Sequence, residues 1–108
     1  MDEKILQELV NGILSIMESK VIRIVLYGSV ARGTNTTESD VDVALFMNGN
    51  LDRDTEDKLS DLVVDMNLKY DKVFSVIDID YDVFKKWEKV TPFYKNVAQE
   101  GIVLWKAA

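Results

Sequence analysis

Apolar residues recur at three- and four-residue intervals near the start of the chain. Ile5, Leu6, Leu9, Val10, Ile13 and Met17 fall on one face of a helix predicted over residues 2–19. The pattern then changes. Val21 to Tyr27 is an apolar run rich in β-branched residues that stops at Gly28, and it predicts a buried strand. Residues 28–39 hold two Gly, three Thr, two Ser and one Asn, which predicts a loop with a helical turn over Ser29 to Arg32. Alternation resumes in Asp40-Val41-Asp42-Val43-Ala44-Leu45-Phe46, a second strand, and Asn48-Gly49-Asn50 turns the chain.

Residues 52–70 predict a second amphipathic helix. Acids crowd its first turns, where the helix dipole favours them, and Leu59, Leu62, Val63 and Met66 form its apolar stripe. Val73 to Ile79 reads as a third strand. A short helix follows over Tyr81 to Trp87, with Asp80 or Asp82 as its cap. Thr91-Pro92 opens a last helix, Gly101 closes it, and Ile102 to Trp105 is a final short strand. The order α-β-β-α-β-α-α-β predicts one α/β (α+β) domain over residues 1–108: three or four strands with helices packed against them.

Composition narrows the chemistry more than the fold. The chain has neither cysteine nor histidine. Disulfides, thiolate or imidazole metal sites and histidine general bases are therefore excluded, leaving carboxylates, hydroxyls, Lys/Arg and backbone dipoles. Acids outnumber bases 19 to 13, for a formal net charge of −6. Such a surface repels a phosphate backbone, so no long nucleic acid is expected as a partner. No apolar stretch is long enough to span a bilayer, and Met1-Asp2-Glu3-Lys4 lacks a signal-peptide pattern, so a cytoplasmic protein with no membrane partner is expected.

The candidate chemistry lies in Gly28-Ser29-Val30-Ala31-Arg32-Gly33 and in Asp40-Val41-Asp42. Residues two apart in a strand share a face, about 7 Å apart along the chain. Asp40 and Asp42 would therefore project together, while Val41, Val43 and Leu45 take the opposite face. Two like charges on one face call for a compensating cation, and magnesium suits carboxylate oxygens used together with substrate phosphates. Gly28 ends a buried strand and lets a phosphate approach the backbone. Ser29 adds a hydroxyl donor, and Arg32, one turn on, can reach phosphate oxygens. Taken singly, the Gly-Ser is a bland turn, the Asp pair a solvated strand end and Arg32 a surface arginine. Four specified residues at fixed spacing arise by chance in about one chain in a thousand of this length, which favours the joint reading.

Gly-Ser, ten residues, then Asp-x-Asp resembles the signature of the DNA polymerase β-like nucleotidyltransferase superfamily. The extended form, Leu26 to Gly33 with Ser39-Asp40-Val41-Asp42, is similar to the minimal nucleotidyltransferases of bacteria and archaea. The resemblance covers nearly the whole chain. It implies a small mixed sheet flanked by helices, two magnesium ions, and transfer of a nucleoside monophosphate, AMP above all, from ATP or another nucleoside triphosphate to a hydroxyl. It also implies that Gly28 and Ser29 contact the triphosphate and that Asp40 and Asp42 bind metal as the catalytic acids. Many minimal members are antitoxins paired with an all-helical HEPN-type nuclease toxin, and some add AMP to a toxin tyrosine. Other relatives modify antibiotics, a more distant model for the acceptor.

The superfamily carries a third carboxylate on the strand after the long helix, where this chain has Lys72-Val73-Phe74-Ser75-Val76-Ile77. The acid is expected at Phe74 or Ser75, and neither is acidic. A register shift would let Asp78 serve as a metal ligand; the competing and favoured reading has Asp78 and Asp80 at the strand exit, capping the next helix. Without the third acid, a second reading stands beside the enzyme: a weakened nucleotidyltransferase fold that works by masking a partner protein. Trp87, Phe84, Phe93 and Trp105 are expected in the core, as are Met17, Met47 and Met66, and Tyr27 is expected to pack. The apolar demand of the two C-terminal helices points to a partner or homo-oligomer surface.

Overall fold

The computed structural model describes residues 2–36 and 40–108. The chain opens with helix α1 (Glu3–Met17), whose N-cap Asp2 accepts from the Lys4 backbone N–H at 2.8 Å. One 3₁₀ turn, Glu18–Lys20, leads into strand β1 (Val21–Tyr27). A single helical turn, α2 (Gly28–Arg32), follows directly, and β2 (Val41–Met47) returns antiparallel to β1. Helix α3 (Arg53–Tyr70) starts on Asp52, which caps the Thr55 N–H, and carries the chain back to β3 (Phe74–Asp80). Helices α4 (Tyr81–Trp87) and α5 (Pro92–Glu100) precede the edge strand β4 (Ile102–Lys106).

The sheet order is β3-β2-β1-β4, with β2 and β3 parallel and both pairs involving β1 antiparallel. A parallel neighbour needs a crossover, and α3 supplies it. The sheet is therefore mixed and flanked by helices, as the sequence and its resemblance predict.

Alternation along the strands builds two cores. Ile24, Leu26, Val41, Val43 and Leu45 face α1 and α3, meeting Leu9, Ile13, Leu59 and Met66. Val25, Ala44 and Phe46 face α4 and α5, meeting Phe84 and Val97. β2 is buried on both faces because it lies inside the sheet with helices on either side, and only Asp42 interrupts its apolar run. Burying Phe46 alone removes enough apolar surface to be worth about 2–3 kcal/mol.

Met17, Met47 and Met66 are buried as expected, and so is Phe84. Trp105 packs partly buried against the first core. Trp87 and Phe93 depart from expectation, being 44% and 40% exposed. Both sit on short helices covering only part of one sheet face, so their outer sides meet solvent. Among the described residues no helix is long and apolar enough to cross a membrane.

Candidate active site

Tyr27, the last residue of β1, lies opposite Asp42, the second residue of β2, across the antiparallel pair. At Gly28 the backbone takes φ +76° to start α2, a conformation that costs a residue with a side chain roughly 1–2 kcal/mol. A Cβ at this position would run into Asp42 Oδ2 and lie 3.3 Å from Asp42 Cγ. Glycine is thus required twice at one position, for the turn and for the close approach of a carboxylate. The Asp42 side chain lies directly against Gly28.

Asp40 is exposed, one residue before β2. Burial pushes the Asp42 carboxyl above its ordinary value, and the negative charge of Asp40 raises it further, against a smaller opposing pull from Arg32. Gly28, Ser29, Asp40, Asp42 and Arg32 therefore share one neighbourhood, on the sheet face that carries α4 and α5. Ser29 lies in the first turn of α2, and its carbonyl accepts from the Thr34 N–H at 3.0 Å, closing the turn. Thr37, Glu38 and Ser39, which complete the loop of the motif, lie outside the described residues. Arg32 is engaged: its Nη1 donates to Glu100 Oε2 on α5 at 3.1 Å, and both side chains remain substantially exposed.

The β2–β3 register settles where a third acid would stand. The Val41 N–H donates to the Val73 carbonyl at 2.8 Å, and the Asn67 side chain fixes the strand start by accepting from the Phe74 N–H at 2.8 Å. This pairs Val41 with Phe74 and Asp42 with Ser75. Phe74 is buried in the α1–α3 core, so Ser75 is the residue beside Asp42.

Asp78 is not brought to the acid pair. It pairs with Leu45, three positions further along, on the α1–α3 side of the sheet, whereas Asp42 is on the other. A strand alternates faces, so the odd offset from Ser75 turns Asp78 away. Asp80 caps α4, its Oδ1 accepting from the Asp82 N–H at 2.9 Å. Among the described residues no group of three Asp, Glu, His or Cys is placed to hold one ion.

One part of the site escapes the sequence motif. A cleft of about 190 Å³ opens beside Gly28, between α2 and α5, and Tyr27, Phe93, Asn96 and Glu100 line it. Tyr27 meets Phe93 edge-on, with ring centroids 5.6 Å apart. Burial raises the Tyr27 phenol, and the Asp42 charge adds to the effect. The spacing of Phe93, Asn96 and Glu100 signals a common helix face, but nothing local says that this face meets Gly28.

The donor set fits a divalent cation. It consists of hard carboxylate oxygens, and both causes that raise Asp42, burial and a like charge, penalise the ionised form that a cation would favour.

The model of the nucleotidyltransferase domain family matches residues 7–104. A Methanocaldococcus jannaschii protein named as a protein adenylyltransferase is 36% identical over 107 residues, 96% of this chain and 98% of its own length. A second protein from that organism, with the same name, is 32% identical over 99 residues, 92% of this chain and 94% of its own. Among solved structures, a toxin–antitoxin complex with AMP-PNP matches with TM-score 0.64 and 21% identity, covering 99% of this chain and 75% of that one. A minimal nucleotidyltransferase matches with TM-score 0.57 and 20% identity, covering 94% and 95%. At those identities the structural likeness establishes the fold.

Proposed function

This chain belongs to the nucleotidyltransferase domain family, a family of transferases, and from that premise we propose that it moves AMP from magnesium-bound ATP to a hydroxyl of a partner protein. One observation carries the reading: the Asp42 carboxylate lies against Gly28, with Asp40 beside it. That contact joins an acid pair to a turn whose backbone a phosphate can approach, at a position where any side chain would block it.

In this reading Asp40 and Asp42 hold the magnesium, which when bound neutralises phosphate charge and lowers the pKa of an attacking hydroxyl. Gly28 and Ser29 offer backbone and hydroxyl donors to the triphosphate. Arg32 exchanges Glu100 for a phosphate oxygen, a small cost because exposed ion pairs contribute about 0–1 kcal/mol. The acceptor oxygen forms a bond to the α-phosphorus, the bond from that phosphorus to the bridging oxygen breaks, pyrophosphate leaves, and the hydroxyl proton passes to solvent. The acid pair and turn orient the chain of phosphates for this displacement. ATP labelled at the α-phosphate provides the test. Wild type should label its acceptor in magnesium, and Asp42→Asn should not. Nucleotide binding without labelling of any co-purifying partner would defeat the enzyme reading.

The partner proposed is an all-helical HEPN-type toxin. A Shewanella oneidensis complex of an AMP-modified HEPN toxin with a minimal nucleotidyltransferase antitoxin has the same fold, with TM-score 0.58 and 17% identity over 98% of this chain and 74% of that one. In this chain, Val83, Trp87 and Val90 leave an apolar stripe exposed along α4 and its exit, suited to a helix. Loss of co-elution with the product of a neighbouring helical reading frame on Trp87→Glu would support it.

The position of Ser75 favours a second reading. Where a third carboxylate would flank Asp42, a hydroxyl stands in register. A fold that binds nucleotide slowly or idly can still mask a partner. Neutralisation of the toxin by a folded Asp40→Asn, Asp42→Asn double variant would select this reading over the enzyme.

A further inference from the structure

We infer that the cleft between α2 and α5 takes the nucleobase of the triphosphate and that Asn96 reads it as adenine. The inference rests on the nucleotide site proposed above. It starts from size. At about 190 Å³ the cleft is smaller than the roughly 300–1,000 Å³ of whole-ligand pockets, so it accommodates one flat ring system while ribose and phosphates stay outside. Its position suits that division, because Gly28, which contacts Asp42, also forms one wall.

The walls suit a heterocycle. Val97 closes the floor, 3% exposed, and Phe93 and Tyr27 supply aromatic sides. The Phe93 ring meets Tyr27 edge-on and remains 40% exposed, so a large apolar surface at the mouth is left without a partner. Base–aromatic contact is the use nucleotide-binding proteins make of such a ring.

Asn96 supplies the polar reading head. It lines the cleft one turn from Phe93, and its carboxamide has no hydrogen-bond partner among the described residues. A carboxamide presents one acceptor and two donors. The adenine edge offers the matching pair, an N6 amino donor beside an N7 acceptor. Guanine offers two acceptors, O6 and N7, and leaves the Asn96 oxygen unmatched. With the N7 edge turned to Asn96, the cleft selects adenine over guanine.

Titration calorimetry in magnesium with ATP, GTP and inorganic tripolyphosphate tests this. Wild type should bind ATP about ten-fold more tightly than GTP, the scale of one bidentate contact. Asn96→Ala should bring the ratio to about one and leave tripolyphosphate affinity unchanged, because the acids and the Gly28 turn are untouched. Asn96→Asp keeps an acceptor for adenine N6–H but has no donor for N7 of either base, so it should weaken ATP binding and leave GTP no better bound than in wild type. Asn96 is exposed on its helix, so circular dichroism should show all variants folded. An ATP-to-GTP ratio unchanged in Asn96→Ala, with Asp42→Asn still abolishing binding, would overturn this inference and leave the nucleotide site standing. Tripolyphosphate and ATP binding that both ignore Asp42→Asn would remove the site and the inference together.

Discussion

Asp42→Asn bears most directly on the acid pair, because it separates what the pair does for folding from what it does for a ligand. Asp40 and Asp42 are two strand positions apart, about 7 Å. At that distance two unit charges repel by about 0.6 kcal/mol in bulk water and about 2.4 kcal/mol at an effective dielectric of 20. Asp40 is exposed and Asp42 only partly covered, which places the repulsion near the lower end, at about 1 kcal/mol. Neutralising Asp42 without metal should therefore raise the melting temperature by about 4 °C for a chain of this length.

The sign of the pH dependence follows from the same contacts. Burial and Asp40 hold the folded Asp42 above the ordinary 3.8. The folded chain then binds this proton more tightly than the unfolded chain, so this group's contribution to stability falls as pH rises through the window above 3.8 and returns below it. The Asn variant should lack that slope. Thermal melts in EDTA of wild type, Asp40→Asn, Asp42→Asn and the double variant form a cycle whose coupling should be about 1 kcal/mol. Magnesium with ATP should then raise the wild-type melting temperature and leave Asp42→Asn unmoved. Additive single variants, or an Asp42→Asn that melts lower than wild type, would refute the reasoning.

Three further outcomes are expected. Gly28→Ala should destabilise by about 2 kcal/mol from its positive φ and displace Asp42, so chemical denaturation and magnesium-dependent ATP binding should both record a loss. Ser75→Asp places a carboxylate in register with Asp42 and should raise AMP transfer about ten-fold or more, measured with α-labelled ATP; an unchanged rate would mean that Ser75 is not the vacant base position. Glu8 accepts from Tyr70 Oη at 2.8 Å and from Lys69 Nζ at 3.0 Å, and these contacts hold its carboxyl below 4.5. Its contribution is present above that value and lost as pH falls through the lowered one, so Glu8→Gln should flatten the acid limb of a stability–pH curve.

Much of the fold could be read from local patterning. β1 ends at Gly28 as predicted, α4 spans the predicted residues, and Asp80 is its cap. These features depend on residues within a few positions of one another, and so does the acid pair, whose common face follows from strand alternation. The features that needed structure depend on long-range register. Asp78 could not be assigned a face until the parallel pairing fixed Asp42 against Ser75, because a one-residue slip exchanges the two sides of a strand. Phe93 and Trp87 look like core by residue type, yet the amount of sheet that α4 and α5 cover decides their exposure. The α2–α5 cleft joins residues about seventy positions apart, and no spacing rule spans that interval.

That difference in sequence separation divides the site into two cooperative units. Gly28 directly follows β1, Asp42 lies in the antiparallel neighbour β2, and the two meet by closing one short loop, whose entropic cost grows only as the logarithm of its length. The cleft exists only while α5 is docked, and α5 is held to α2 by the exposed Arg32–Glu100 pair, to β1 by the Phe93–Tyr27 ring contact and to the smaller core by Val97. Local opening should release α5 at a lower free energy than it separates β1 from β2. In amide hydrogen exchange the Val97 and Gly101 N–H groups would then exchange ahead of those of Val43 and Leu45. A molecule in that partly opened form would keep the acid pair assembled and lose its means of telling one base from another.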